Sequence, residues 1–164
     1  MCWSSPIAAH SINPFPIWYT AAPMTKPTYS AMRRAHQIIG GVTLAVFAAS
    51  GIYLRVKAPS IYLGDEVSHM MFIANHIYIL MAGLANVAIG RYAVPVEDKN
   101  GRLMQSLGLA SMMAASGMLV YAFLTEPALG SFERVRTQIG VMLLTLGTAL
   151  HVFSGIPGQK KGRK

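Results

Sequence analysis

Charged residues are absent from four long stretches of the chain, Ala35 to Leu54, Val67 to Gly90, Leu103 to Thr125 and Thr137 to Gln159. Each stretch is about 20 residues or longer, enough for a helix to cross the roughly 30 Å hydrocarbon layer of a bilayer. An amphipathic helix on a soluble core would place a charge on its wet face every turn or so. None of the four does. The pattern predicts an all-α integral membrane protein with transmembrane helices over 35–54, 67–90, 103–125 and 137–157, inside a membrane domain of residues 31–157. Short connections predict an up-down bundle of antiparallel neighbours.

Two internal echoes refine this expectation. Ala48-Ala49-Ser50-Gly51 recurs as Ala114-Ala115-Ser116-Gly117, and Asn86-Val87-Ala88-Ile89-Gly90 aligns with His151-Val152-Phe153-Ser154-Gly155 at a nearly equal offset. Tandem helical hairpins of one orientation, related by an axis along the membrane normal, would give this pattern. The alternative is chance recurrence of small residues common in membrane helices. In this register His36 falls on Arg102 and His151 on Asn86, so no site is duplicated. Small residues also recur at four-residue spacing. Gly41, Ala45 and Ala49 on the first helix, Ala110 and Ala114 on the third, and Gly147 and Gly155 flanking His151 on the fourth predict close helix approach.

Composition narrows the class. Hydrophobic residues make up 53% and charged residues 12%, against about 25% charged in ordinary soluble domains. The net charge of +8 is not interleaved with aromatics on a common face, so no nucleic-acid partner is expected. The cations gather at the flanks. Lys26, Arg33 and Arg34, then Arg91, Lys99 and Arg102, then Lys160, Lys161, Arg163 and Lys164 fall on one side. Arg55, Lys57, Arg134 and Arg136 fall on the other. The positive-inside bias places both termini in the cytoplasm, with a bacterial inner membrane as the expected location. The lone Cys2 excludes an internal disulfide and any CxxC motif.

The ends of the chain read differently. Residues 1–30 contain Pro6, Pro14, Pro16, Pro23 and Pro27 and are expected to form a flexible Pro-rich tail, with Trp3, Trp18 and Tyr19 at the headgroup level. Met1, Met24 and Met32 are all compatible translation starts. Residues 158–164 form a basic tail suited to anionic lipid.

Few residues offer chemistry. The acids Asp65, Glu66, Glu97, Asp98, Glu126 and Glu133 fall between the spans, where solvation is their expected role. With no carboxylate, lysine or arginine inside a span, ion-coupled transport lacks its usual residues. No GxSxG, HExxH, Walker A or GxGxxG sequence occurs. No catalytic residue is assigned.

Histidines are the exception. His10 lies in the tail, His36 opens the first helix, His69 and His76 lie in the second, and His151 lies near the end of the fourth. If the first helix begins near Pro27, a favoured first-turn residue, His36 and His151 share one depth on the cytoplasmic side. Two imidazoles from different helices at one depth suit a six-coordinate haem b. This placement is similar to that in small membrane b-type cytochromes. The likeness covers only histidine placement in a four-helix bundle, and it implies His36 and His151 as haem ligands, with Gly40, Gly147 and Gly155 leaving room for the ring. The bland alternative makes His36 interfacial and gives His151 a neighbouring-helix hydrogen bond.

His69 and His76 share a helix face but lie about 10.5 Å apart along the axis. Together with Met70 they form a candidate soft copper(I) site, although Met is also ordinary filler. Asn75, Asn86, Gln105 and Gln138 suit interhelical hydrogen bonds, and Tyr78, Tyr121 or His36 suit a quinone headgroup. The expected function is a non-catalytic accessory, anchor or assembly subunit of a membrane complex, in contact with lipid and with other subunits or further copies of itself. A haem b electron-transfer protein acting with quinone is the first alternative. A copper or small-solute transporter is the second.

Overall fold

The computed structural model describes residues 27–62, 66–94, 96, 99–129 and 133–155. The tail at 1–26, with Cys2, His10, Trp3, Trp18, Tyr19 and Lys26, lies outside the described residues, as do Asp65, Glu97, Asp98 and the basic segment 158–164. The elements are α1 (Pro27–Tyr62), α2 (Glu66–Tyr92), α3 (Lys99–Thr125), a single 3-10 turn (Pro127–Leu129) and α4 (Val135–Gly155). All four α-helices are long and apolar enough to cross a membrane. No strand occurs among the described residues.

α1 begins at Pro27 and continues through Arg33, Arg34, Arg55 and Lys57 at its two ends. Arg and Lys are good helix formers, so a charge ends an apolar window without ending the helix. α2 has Glu66 in its first turn and Arg91 in its last, charges that suit the helix dipole. Its terminal carbonyls are held from α1. Arg33 Nε donates to Gly90 O at 3.0 Å, and Gln37 Nε2 donates to the same oxygen at 3.4 Å.

Contacts along each neighbouring pair run antiparallel: Gly40 meets Gly83 and Val87 while Gly51 meets His76, and Gly108 meets Gly147 and His151 while Leu119 meets Gly140. α2 and α3 are antiparallel too, joined through Asn86 and Ser116 and through Asn75 and Glu126. α1 packs mainly on α2, and α3 on α4. The hairpins join chiefly along α2 and α3, while the α1 and α4 backbones do not pack on each other. Ile79, Ala82, Met112, Ala115 and Leu119 fill the centre, each buried to within 1% of completely.

Of the small residues whose spacing predicts close helix approach, Gly147 alone makes it among the described residues. Gly41, Ala45 and Ala49, and likewise Ala110 and Ala114, face outward. Close approach falls instead on Gly40, where an added Cβ would stand 2.8 Å from Val87 N and 3.0 Å from Gly83 O. In the second hairpin Gly147 comes equally near Gly108 O, at 2.9 Å from its would-be Cβ, whereas nothing lies within 4 Å of Gly155. Four-residue spacing gives a helix a stripe but not the direction it faces.

The two hairpins use similar packing in a register different from the sequence echo. Gly40 corresponds to Gly108, Gly83 to Gly147, and Leu44, which lies over Gly83, to Met112, which lies over Gly147. Val87 is then the counterpart of His151, and one turn back Met104 is the counterpart of His36. The Ala-Ala-Ser-Gly echo is out of step with the packing, because Ala48 corresponds to Ser116. Large and small residues also change places. Gly51 makes room for His76, whereas in the second hairpin Gly140 makes room for Leu119.

Candidate functional site

Each of the four helices contributes one side chain to a buried polar cluster near the end of the bundle where α1 begins and α4 ends. His36 comes from α1, Asn86 from α2, Ser116 from α3 and His151 from α4. His36 is 1% exposed, Asn86 0% and His151 5%. His36 and His151 meet Nε2 to Nε2 at 3.0 Å, with ring centroids 4.7 Å apart and planes at 73°. His36 Nδ1 lies 2.9 Å from Asn86 Oδ1. Asn86 Nδ2 donates to Ala82 O at 3.0 Å and to Ser116 Oγ at 3.2 Å, and Ser116 donates onward to Met112 O at 3.0 Å.

The two histidines singled out by depth are therefore brought together from helices that do not otherwise pack. In the sequence Asn86 stands out as a polar residue suited to interhelical hydrogen bonds and as the echo of His151, whereas Ser116 appears only as part of the echo. Their shared signal is that each is polar in a window without charge, where an unsatisfied group costs several kcal/mol.

The fit of a metal centre to this pair has two sides. A neutral imidazole that ligates through Nε2 normally gives its Nδ1 hydrogen to a second-shell acceptor, which is what Asn86 Oδ1 provides. Two bonds of about 2 Å each would set the nitrogens about 4 Å apart, so the rings at 3.0 Å must part by about 1 Å to admit an ion. The glycines assigned to make room for a flat ring do other work. Gly40 and Gly147 are closed against the neighbouring helix, Gly155 has nothing within 4 Å, and the glycine beside the opposed pair is Gly108, whose would-be Cβ lies 2.8 Å from His151 Cδ2. Room for a macrocycle must come from the seam between α1 and α4.

His69, His76 and Met70 have separate surroundings. Met70 is 59% exposed on the outer face. His76 stacks on Phe47, with centroids 4.1 Å apart, and its Nδ1 lies 2.8 Å from Ser50 Oγ. His69 is half-buried one turn from the start of α2. No group of three or more His, Cys, Asp or Glu side chains converges among the described residues.

One acid overturns its expectation. Glu126 is not solvated but fully buried. Its Oε1 accepts the Thr137 backbone N–H at 2.9 Å, and its Oε2 meets the Thr137 hydroxyl and accepts from Asn75 Nδ2 at 3.4 Å. Arg134 reaches Asn75 Oδ1 at 2.6 Å with Nη2 and lies over the Tyr78 ring at 5.7 Å. Glu126 thus caps an orphan amide in the first turn of α4 from the end of α3. Gln105, by contrast, donates to Val94 O at 2.8 Å within the connection from α2. Tyr121 is half exposed beneath Arg136, 5.3 Å from its ring centre.

No family model, curated protein or solved structure matches this chain. The functional reading rests on the site.

Proposed function

We propose that the chain is an integral membrane electron-transfer protein of a bacterial inner membrane, holding haem b between His36 and His151. The observation that carries this reading is the opposition of two buried Nε2 atoms across the α1–α4 seam, with Asn86 holding His36 in the ligating tautomer. The positive-inside bias supports cytoplasmic termini and puts the pair on the cytoplasmic side. A bound haem would supply one-electron chemistry. The chain's part is to ligate through two imidazoles, to orient His36 through Asn86, and to exclude water with the apolar core that begins at Ala82, Met112 and Ala115. A quinone is the partner suited to a carrier in this position.

A second reading has its own observation. Nearly every buried polar side chain is satisfied inside the chain, the orphan atoms among the described residues being Arg134 Nε and His151 Nδ1. That economy suits an accessory or anchor subunit whose polar groups fix helix packing. A dithionite-reduced minus oxidised visible spectrum of protein made with ample haem separates the two. A b-type α band, lost in both His36→Ala and His151→Ala, supports the electron-transfer reading. A flat spectrum from folded protein removes it and leaves the accessory subunit, to be pursued through co-purifying membrane partners.

A further inference from the structure

The hydrogens of the imidazole pair are fixed by their neighbours, starting from Ala82. Its carbonyl oxygen can only accept, so the Asn86 atom 3.0 Å away is the amide nitrogen. Asn86 Oδ1 is then an acceptor turned toward His36, and the ring nitrogen 2.9 Å from it carries the hydrogen. A neutral His36 is therefore protonated at Nδ1 and bare at Nε2. The Nε2 of His151 stands 3.0 Å away, and two bare lone pairs do not meet at that distance. The hydrogen between the rings sits on His151 Nε2. That leaves His151 Nδ1 bare, in keeping with its having no hydrogen-bond partner among the described residues although it is buried.

We propose that the pair is asymmetric by construction, with His36 the preset ligand of a metal centre and His151 the adjustable one. Asn86 is the positioning residue. His36 already directs a lone pair into the seam. His151 must give up the hydrogen on Nε2 and take one on Nδ1 before it can ligate as a neutral ring, so loading shifts one hydrogen within His151 and releases no net proton. The identity of the occupant rests on the haem reading. The hydrogen placement does not.

The test is nitrogen NMR of 15N-histidine-labelled, haem-free protein in lipid at about pH 8, above the ordinary histidine range. Assignment uses His151→Gln. The expected result is His36 protonated at Nδ1 and His151 at Nε2. Adding ferrous haem b, diamagnetic when two imidazoles hold it, should move the His151 hydrogen to Nδ1 and leave His36 unchanged. Asn86→Leu should leave His36 a mixture of tautomers and weaken haem binding by roughly 10–100-fold, as loss of a second-shell partner does. Asn86→Asp keeps an acceptor for His36 but sets its second oxygen against Ala82 O, so it should restore the His36 tautomer and only part of the binding. His36 carrying its hydrogen on Nε2, or a tautomer unmoved by Asn86→Leu in folded protein, would overturn the proposal. The expected tautomers with no haem uptake would sink the haem reading and the ligand roles with it, while the hydrogen placement stood.

Discussion

At the scale of single residues, the cluster around His36 makes definite demands. Asn86→Leu leaves the His36 Nδ1 hydrogen buried without an acceptor, and a lost buried partner costs about 1–3 kcal/mol. The expected outcome is a lower unfolding temperature in detergent, with Asn86→Asp intermediate. Gly108→Ala forces a methyl against His151 Cδ2 at 2.8 Å and Gly147 O at 3.1 Å. The ring can turn but the carbonyl cannot, so a loss of about 1–3 kcal/mol is expected. Gly117→Ala, in open space, should instead be neutral or gain up to about 1 kcal/mol from helix propensity. Thermal unfolding of the two alanine variants side by side checks the contrast. The opposed histidines were legible in the sequence because depth along a helix can be counted from its flanks at about 1.5 Å per residue. Their partners were not. Gly41 and Gly40 differ by one position and about 100° of rotation, and only the second faces α2.

The helix ends show a different limit of legibility at the scale of elements. Four apolar windows were enough to give four helices, since a long apolar run has to satisfy its backbone groups within itself and a helix does so. The windows end at charges, however, which makes Glu126 a boundary in the sequence. In the folded chain the boundary residue turns inward, because the first turn of α4 has amides to satisfy and Glu126 is the acceptor within reach. Replacing it tests this role. Glu126→Ala strips acceptors from Thr137 and Asn75 together, for an expected loss of about 2 kcal/mol or more. Glu126→Gln keeps an oxygen for the Thr137 amide and should lose less. Hydrogen exchange at the amides of the first turn of α4 should rise in Glu126→Ala well before exchange in α1 changes. Uniform acceleration across all four helices would show that Glu126 acts on global stability instead.

For the whole molecule, the decisive feature is uneven packing: each hairpin is closed tightly on itself, and the two meet chiefly along α2 and α3. A chain cut within the connection at 93–98 should therefore yield two helical hairpins that associate when co-expressed, detectable by co-purification through a tag on one of them. The His36–His151 contact crosses that divide, as does Asn86 to Ser116, so Asn86→Leu should weaken recovery of the pair of fragments more than it destabilises the uncut chain. The similar packing of the two hairpins has a further consequence. Where the first half places Val87, the second places His151, and where the first places His36, the second places Met104. A molecule assembled from two copies of either half would keep the glycine contacts and lose the opposed imidazoles. The halves share a scaffold but supply different members of one polar cluster, so neither can stand in for the other, and any gene-level duplication that preserved the packing would still erase the imidazole pair.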